Sequence, residues 1–157
     1  MSMVQKRIVS VVMILIWWMS TPCFGFQLKQ FQWGEPKSDI EARLVKDGKT
    51  PERGLVPGVV NYHDEYLGHF CKVKLVFTPK SLGLAMLNLE WSDEPLASEV
   101  LEILKDRYGD PNVVDIHNFH YEWNGSFSGE KIVLDRHKLS ISGGEYYQKY
   151  LAEKSSS

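Results

Sequence analysis

Over much of the chain apolar side chains recur at every second position, the period of a β-strand with one buried face. The alternation runs over Val59–Tyr66 and resumes over His69–Phe77, where Cys71, Val73, Leu75 and Phe77 share a face. It returns over Leu84–Trp91. Turn residues at Leu67-Gly68 and Thr78–Gly83 join these segments, which predicts an antiparallel meander. Extended segments are predicted again over Val113–Trp123, Lys131–Asp135 and Leu139–Ile141, with a turn at Asn124–Gly129. Other stretches carry the helical period. Ser38 to Glu41 has the form of a capping box, Ile40 and Leu44 continue it as an apolar stripe, and Gly48 ends it. Pro95–Tyr108 sets Leu96, Val100, Ile103, Leu104 and Tyr108 on one face before Gly109 and Pro111 stop the helix. Glu145–Lys154 reads as a third helix with Tyr146, Tyr150 and Leu151 on one side, and residues 155–157 as a disordered tail.

These elements predict an α+β fold, an antiparallel sheet covered on one face by helices. Val59-Val60-Asn61-Tyr62-His63 parallels Val113-Val114-Asp115-Ile116-His117, and each run follows a helix opened by Glu-Pro with a Trp shortly before it. The order helix, strand, strand, strand thus occurs twice. Two explanations stand side by side: a duplicated unit spanning 31–91 and 92–147, or chance agreement of turn residues. Either half alone is too small to bury a sizeable core, so residues 26–154 are read as one domain.

The N-terminus has a different pattern. Lys6-Arg7 precede an apolar run from Ile8 to Met19 broken only by Ser10, and small Cys23 and Gly25 flank Phe24. This is the order of an export signal, so residues 1–25 are expected to be removed and the protein to be periplasmic or secreted. The run is shorter than the ~20 residues a spanning helix needs, so no stable membrane span is expected after processing. Ser20 and Pro22 do not fit the residues that precede a lipid-bearing cysteine, which leaves Cys23 in the leader. Losing Lys6 and Arg7 leaves 16 basic against 20 acidic residues, a net charge of −4, so no basic footprint for nucleic acid exists. Cys71 then stands alone and is read as a packed, inert thiol.

Trp33-Gly34-Glu35-Pro36 at the entry to the first helix, and Tyr108-Gly109-Asp110-Pro111 between the second helix and a strand, together with the export signal, resemble the small exported modules of the β-lactamase inhibitor protein and SmpA/OmlA outer-membrane assembly lipoprotein type. The resemblance spans residues 31 to 142 and implies protein binding through a sheet surface. This chain departs from it in lacking the inhibitor family's disulfides and the lipoproteins' attachment site, and no functional residue is carried over.

Candidate chemistry is sparse. The nucleophile-elbow, zinc-protease, phosphate-loop and Cys-x-x-Cys patterns are all absent from the sequence, so a non-catalytic binding protein needing no cofactor is expected, its partner a protein or envelope component. The alternative is a small envelope enzyme or metal protein using His63, His117 and nearby carboxylates; His117 and His120 are three apart, which on one strand sends them to opposite faces. An aromatic platform is the other candidate site: Tyr62 and Tyr66 on one strand, Tyr121 and Trp123 with Phe119 on another, and Phe127 at the tip of the next turn. Core packing under the helices competes for the strand aromatics.

Overall fold

A computed structural model describes residues 31–66, 68–91, 95–125 and 129–156, and the side chains of all of these except Pro95 and Leu96. The fold is α+β. Helix α1 (Lys37–Lys46) leads into strands β1 (Glu52–Arg53), β2 (Val59–Tyr66), β3 (His69–Phe77) and β4 (Leu84–Glu90). Helix α2 (Pro95–Tyr108) leads into β5 (Val113–Asp115), β6 (His120–Asn124), β7 (Lys131–Asp135) and β8 (Lys138–Ser142), and α3 (Gly144–Ser155) follows. All eight strands form one antiparallel sheet in the order β1-β2-β3-β4-β8-β7-β6-β5. A helix followed by four strands therefore appears twice, and the strand order mirrors itself about the β4–β8 seam, where Met86 pairs with Ser142 and Glu90 with Lys138.

Alternation along the strands assigns the two faces. Val60 and Tyr62, Val73 and Leu75, Leu87 and Leu89, Leu139 and Ile141, Ile132 and Leu134, then Tyr121 and Trp123 line up in register across six strands and are all buried. Ile40 and Leu44 of α1, with Ala97, Val100, Leu101 and Leu104 of α2, complete this core. Cys71 lies in it at 4% exposure, as its alternation predicts. The opposite, outer face carries Lys72, Lys74, Glu90, Lys138, Glu122 and their neighbours. Helix α3 lies over one end of that outer face: Tyr150 and Lys154 share a cleft with Val59, Val76 and Met86, and Glu153 accepts hydrogen bonds from the β3–β4 turn. None of its residues is buried.

Several local expectations are corrected. Helix α1 has no capping box; Pro36 is its N-cap, Ser38 lies inside the helix, and the Lys37 amide is satisfied by the Leu82 carbonyl at 2.9 Å. Gly48 ends it as expected, at φ +74°, a left-handed value glycine adopts without steric cost. In α2 the buried face shifts by a residue: Ala97 and Leu101 go inside, while Tyr108 is exposed. The single strand expected over Val113–Trp123 is a hairpin. Asp115 accepts from the amides of His117 and Asn118 and from the Asn118 side chain, and this turn reverses the chain before β6. Within the expected tail, Ser155 belongs to α3 and Ser156 bonds to Glu153. The export segment lies outside the described residues; among those described, no helix is long and apolar enough to cross a membrane.

Candidate functional site

The aromatic platform is not on an open surface. Tyr62, Tyr121 and Trp123 are 1%, 8% and 4% exposed and belong to the core under α1 and α2, because the strand parity that aligns them also turns them inward. Burial pushes the Tyr62 phenol far above its usual range, and its hydroxyl lies 3.5 Å from that of half-buried Tyr66, whose phenol burial also raises. Trp123 donates to the Gly109 carbonyl at 2.8 Å, tying the end of α2 to β6. Phe119, in the turn rather than a strand, meets Tyr121 edge-on at 5.1 Å. Phe127 lies outside the described residues.

Nor do His63 and His117 approach each other. One is on β2 and the other beyond β5, near opposite edges of the sheet; β2 and β5 are six inter-strand steps apart, which at ~4.8 Å per step is roughly 29 Å. They cannot share a metal ion, and among the described residues no group of three or more His, Cys, Asp or Glu side chains could hold one.

What the outer face does bring together is a row of charge. His63 stands opposite Lys72, Lys72 opposite Glu90, Glu90 opposite Lys138, and Lys138 opposite Asp135. Asp135 Oδ1 lies 2.6 Å from His120 Nδ1, and His120 is opposite Asp115. Seven strands thus contribute one residue each, and signs alternate from Lys72 onward once His120 is protonated. The geometry favours that state: the other ring nitrogen, Nε2, faces Glu122 Oε1 at 3.1 Å, so both nitrogens have a carboxylate partner. The Asp135 hydrogen bond accordingly raises the His120 pKa above its ordinary value. Lys131, at 2.8 Å from the other Glu122 oxygen, holds the Glu122 carboxyl below its usual range. At the β2–β3 end of the row Phe70 is 72% exposed and stacks on the His63 ring at 5.7 Å.

Sequence reasoning had His120 in view only for its spacing from His117 and did not reach Asp135, Glu122 or Lys131. The available signal was the polar alternation of His120 and Glu122 with Tyr121 and Trp123; the partner residues needed the β6–β7 register. Comparison with protein-family models, with curated proteins and with solved structures returns no match for this chain.

Proposed function

We propose that this chain is an exported, non-catalytic binding protein of the cell envelope that docks a protein partner on the outer face of its sheet. The observation that carries this reading is the cross-strand row from His63 to Asp115, whose side chains are exposed at His63 and Lys72 and half-buried beyond, and beside which Phe70 stands exposed. Alternating charges fixed on a β-scaffold favour a complementary pattern and disfavour others, since a mismatched partner would bury like charges together. An exposed aromatic at the end of such a row supplies apolar contact area at small entropic cost. The twofold helix-plus-sheet order and the leader-like N-terminus fit the resemblance to exported sheet-binding modules.

The test is chemical cross-linking in envelope extract with three forms of the mature chain. Wild type and Lys46→Gln, on the exposed part of α1, should capture the same partner; Lys72→Gln combined with Lys138→Gln, which removes the charges without setting like charges opposite each other, should weaken capture while leaving the chain folded. Capture that is indifferent to neutralisation of the row would move the docking site elsewhere. Recovery of the exported chain should also show an N-terminus at or within a few residues of Phe26, and an intact leader in a membrane fraction would contradict export with cleavage.

A further inference from the structure

Beyond the charge row, the outer face has a second feature. Helix α3 is fastened at two places: Tyr146 lies against Gly34 near its start, and Glu153 accepts from the Lys80 and Ser81 amides near its end. Between them it buries none of its own residues, and a cleft of about 510 Å3 remains between helix and sheet. That volume is in the range of small-molecule sites. The sheet side is apolar, built from Val59, Val76 and Met86, and α3 contributes Tyr150. The loop before β2 adds Val56, largely exposed, and beside it Leu55, wholly exposed. Apolar surface left open in this way gains free energy from any apolar group that covers it. Two side chains of the lining are charged, and both are cations, Lys74 on β3 and Lys154 on α3. Neither forms an ion pair with a described residue; the Lys154 ammonium instead stands over the Tyr150 ring, 5.8 Å from its centre. No acidic side chain is among the described residues of the lining to balance them.

We infer that this cleft binds a single-chain aliphatic acid, its hydrocarbon against Val59, Val76, Met86 and Tyr150 and its carboxylate at Lys74 and Lys154. The lining calls for both parts of that ligand. An aliphatic alcohol covers the apolar wall but leaves two ammonium groups without a counter-ion in a site it has partly dried, and a charge is costly to desolvate unpaired. An aliphatic cation sets a third positive charge beside them, and the repulsion grows as water leaves. A small anion such as acetate meets the charge and leaves the apolar wall wet. The occupant is one chain rather than a two-chain bilayer lipid, because the space is that of a drug-sized ligand and α3 roofs it. None of the cleft residues belongs to the charge row, so the site is independent of the docking reading.

Isothermal titration of the mature chain with decanoate tests it, with 1-decanol, decyltrimethylammonium and acetate as comparators. The expected result is one site per chain and at least ten-fold tighter binding of decanoate than of any comparator. Octanoate should bind more weakly than decanoate by about four-fold for each methylene removed, the loss expected when each one is buried. Lys74→Gln with Lys154→Gln should weaken decanoate at least ten-fold and leave 1-decanol unchanged, and Lys138→Gln should change neither. Met86→Trp, which fills the cleft from its sheet side, should abolish binding; the lysine pair, one half-buried and one exposed, carries the test if that variant does not fold. No heat of binding at millimolar decanoate, equal affinity for decanoate and decyltrimethylammonium, or an affinity for decanoate indifferent to loss of both lysines would overturn the inference. So would capture of the chain on phosphatidylglycerol vesicles with no binding of free decanoate, which would assign the cleft to a membrane surface.

Discussion

His120 illustrates how much a single side chain owes to its cross-strand neighbours. With Asp135 on one ring nitrogen and Glu122 on the other, its folded-state pKa lies above the 6.5 of an unperturbed imidazole. A group whose pKa is raised on folding contributes stability that is full below its unfolded value and fades as pH rises through the folded one. NMR titration should place the His120 midpoint above 6.5, and Asp135→Asn should bring it down, with stability above neutral pH little altered. A midpoint at or below 6.5 would show that the paired geometry does not hold in solution. Trp33 makes a different kind of bond, donating from Nε1 to the buried Glu130 carboxylate at 2.5 Å. Hydrogen bonds to charged acceptors contribute about 1.5–3 kcal/mol, so Trp33→Phe should lower the unfolding free energy in urea by that order. Cys71, 4% exposed, should react with thiol reagents only on unfolding.

At the scale of elements, the meander was legible because its strands alternate cleanly and its turns carry glycine: the segments expected over 59–66 and 69–77 are β2 and β3. Helix α2 was legible in extent but less so in its buried face. The hairpin within 113–123 was hidden, since Val113, Val114 and Ile116 look like strand residues and the reversal depends on Asp115 capturing amides that only a folded turn presents. That miss also broke the parity argument linking Phe119 to Tyr121 and Trp123. The start of α1 was misread for a related reason: its first amide is satisfied by Leu82, a residue 45 positions away, and no local motif announces such a partner. The C-terminal helix is held from outside rather than by burial. Glu153 accepts from the Lys80 and Ser81 amides and the Ser81 hydroxyl, and the Lys80 amide bond above all holds its carboxyl below the ordinary 4.5. Docking of α3 by this group is therefore intact above its unfolded pKa and lost as pH falls through the lower folded value. The amide shifts of Lys80 and Ser81 should titrate together with a midpoint below 4.5; a midpoint at 4.5 would mean that the contact is not formed. Gly34, at φ +79°, faces Tyr146 so closely that a methyl group would enter its ring, so Gly34→Ala should destabilise by at least ~1 kcal/mol and loosen α3 in hydrogen exchange.

For the whole molecule, the division of labour between faces makes two substitutions opposite in effect. Leu134 is fully buried, and Leu134→Ala should cost ~2–5 kcal/mol in stability. Phe70 is 72% exposed, and Phe70→Ala should leave the melting temperature within a degree or two while weakening partner capture several-fold. If Phe70→Ala destabilised the fold instead, the aromatic would belong to the structure rather than to a docking surface. The layout of the candidate site was illegible in the sequence because it is a property of the strand order: the meander's His63, Lys72 and Glu90 join Lys138 and Asp135 of the β7–β8 pair only when β8 is inserted beside β4.

That insertion has a kinetic side. The two halves of the sheet meet along five antiparallel residue pairs, Leu87 against Ile141 and Leu89 against Leu139 at their centre. Until β8, the last of the described strands, arrives, β4 is a free edge with a leucine-rich inner face, and an antiparallel edge is complementary in direction to a second copy of itself. Two nascent chains that met at this stage could rebuild the eight-stranded sheet by exchanging halves, a domain-swapped dimer with the native seam between different molecules. The seam that unites the protein is thus also where intramolecular closure must outrun intermolecular exchange, and the balance between the two is set by chain concentration during refolding.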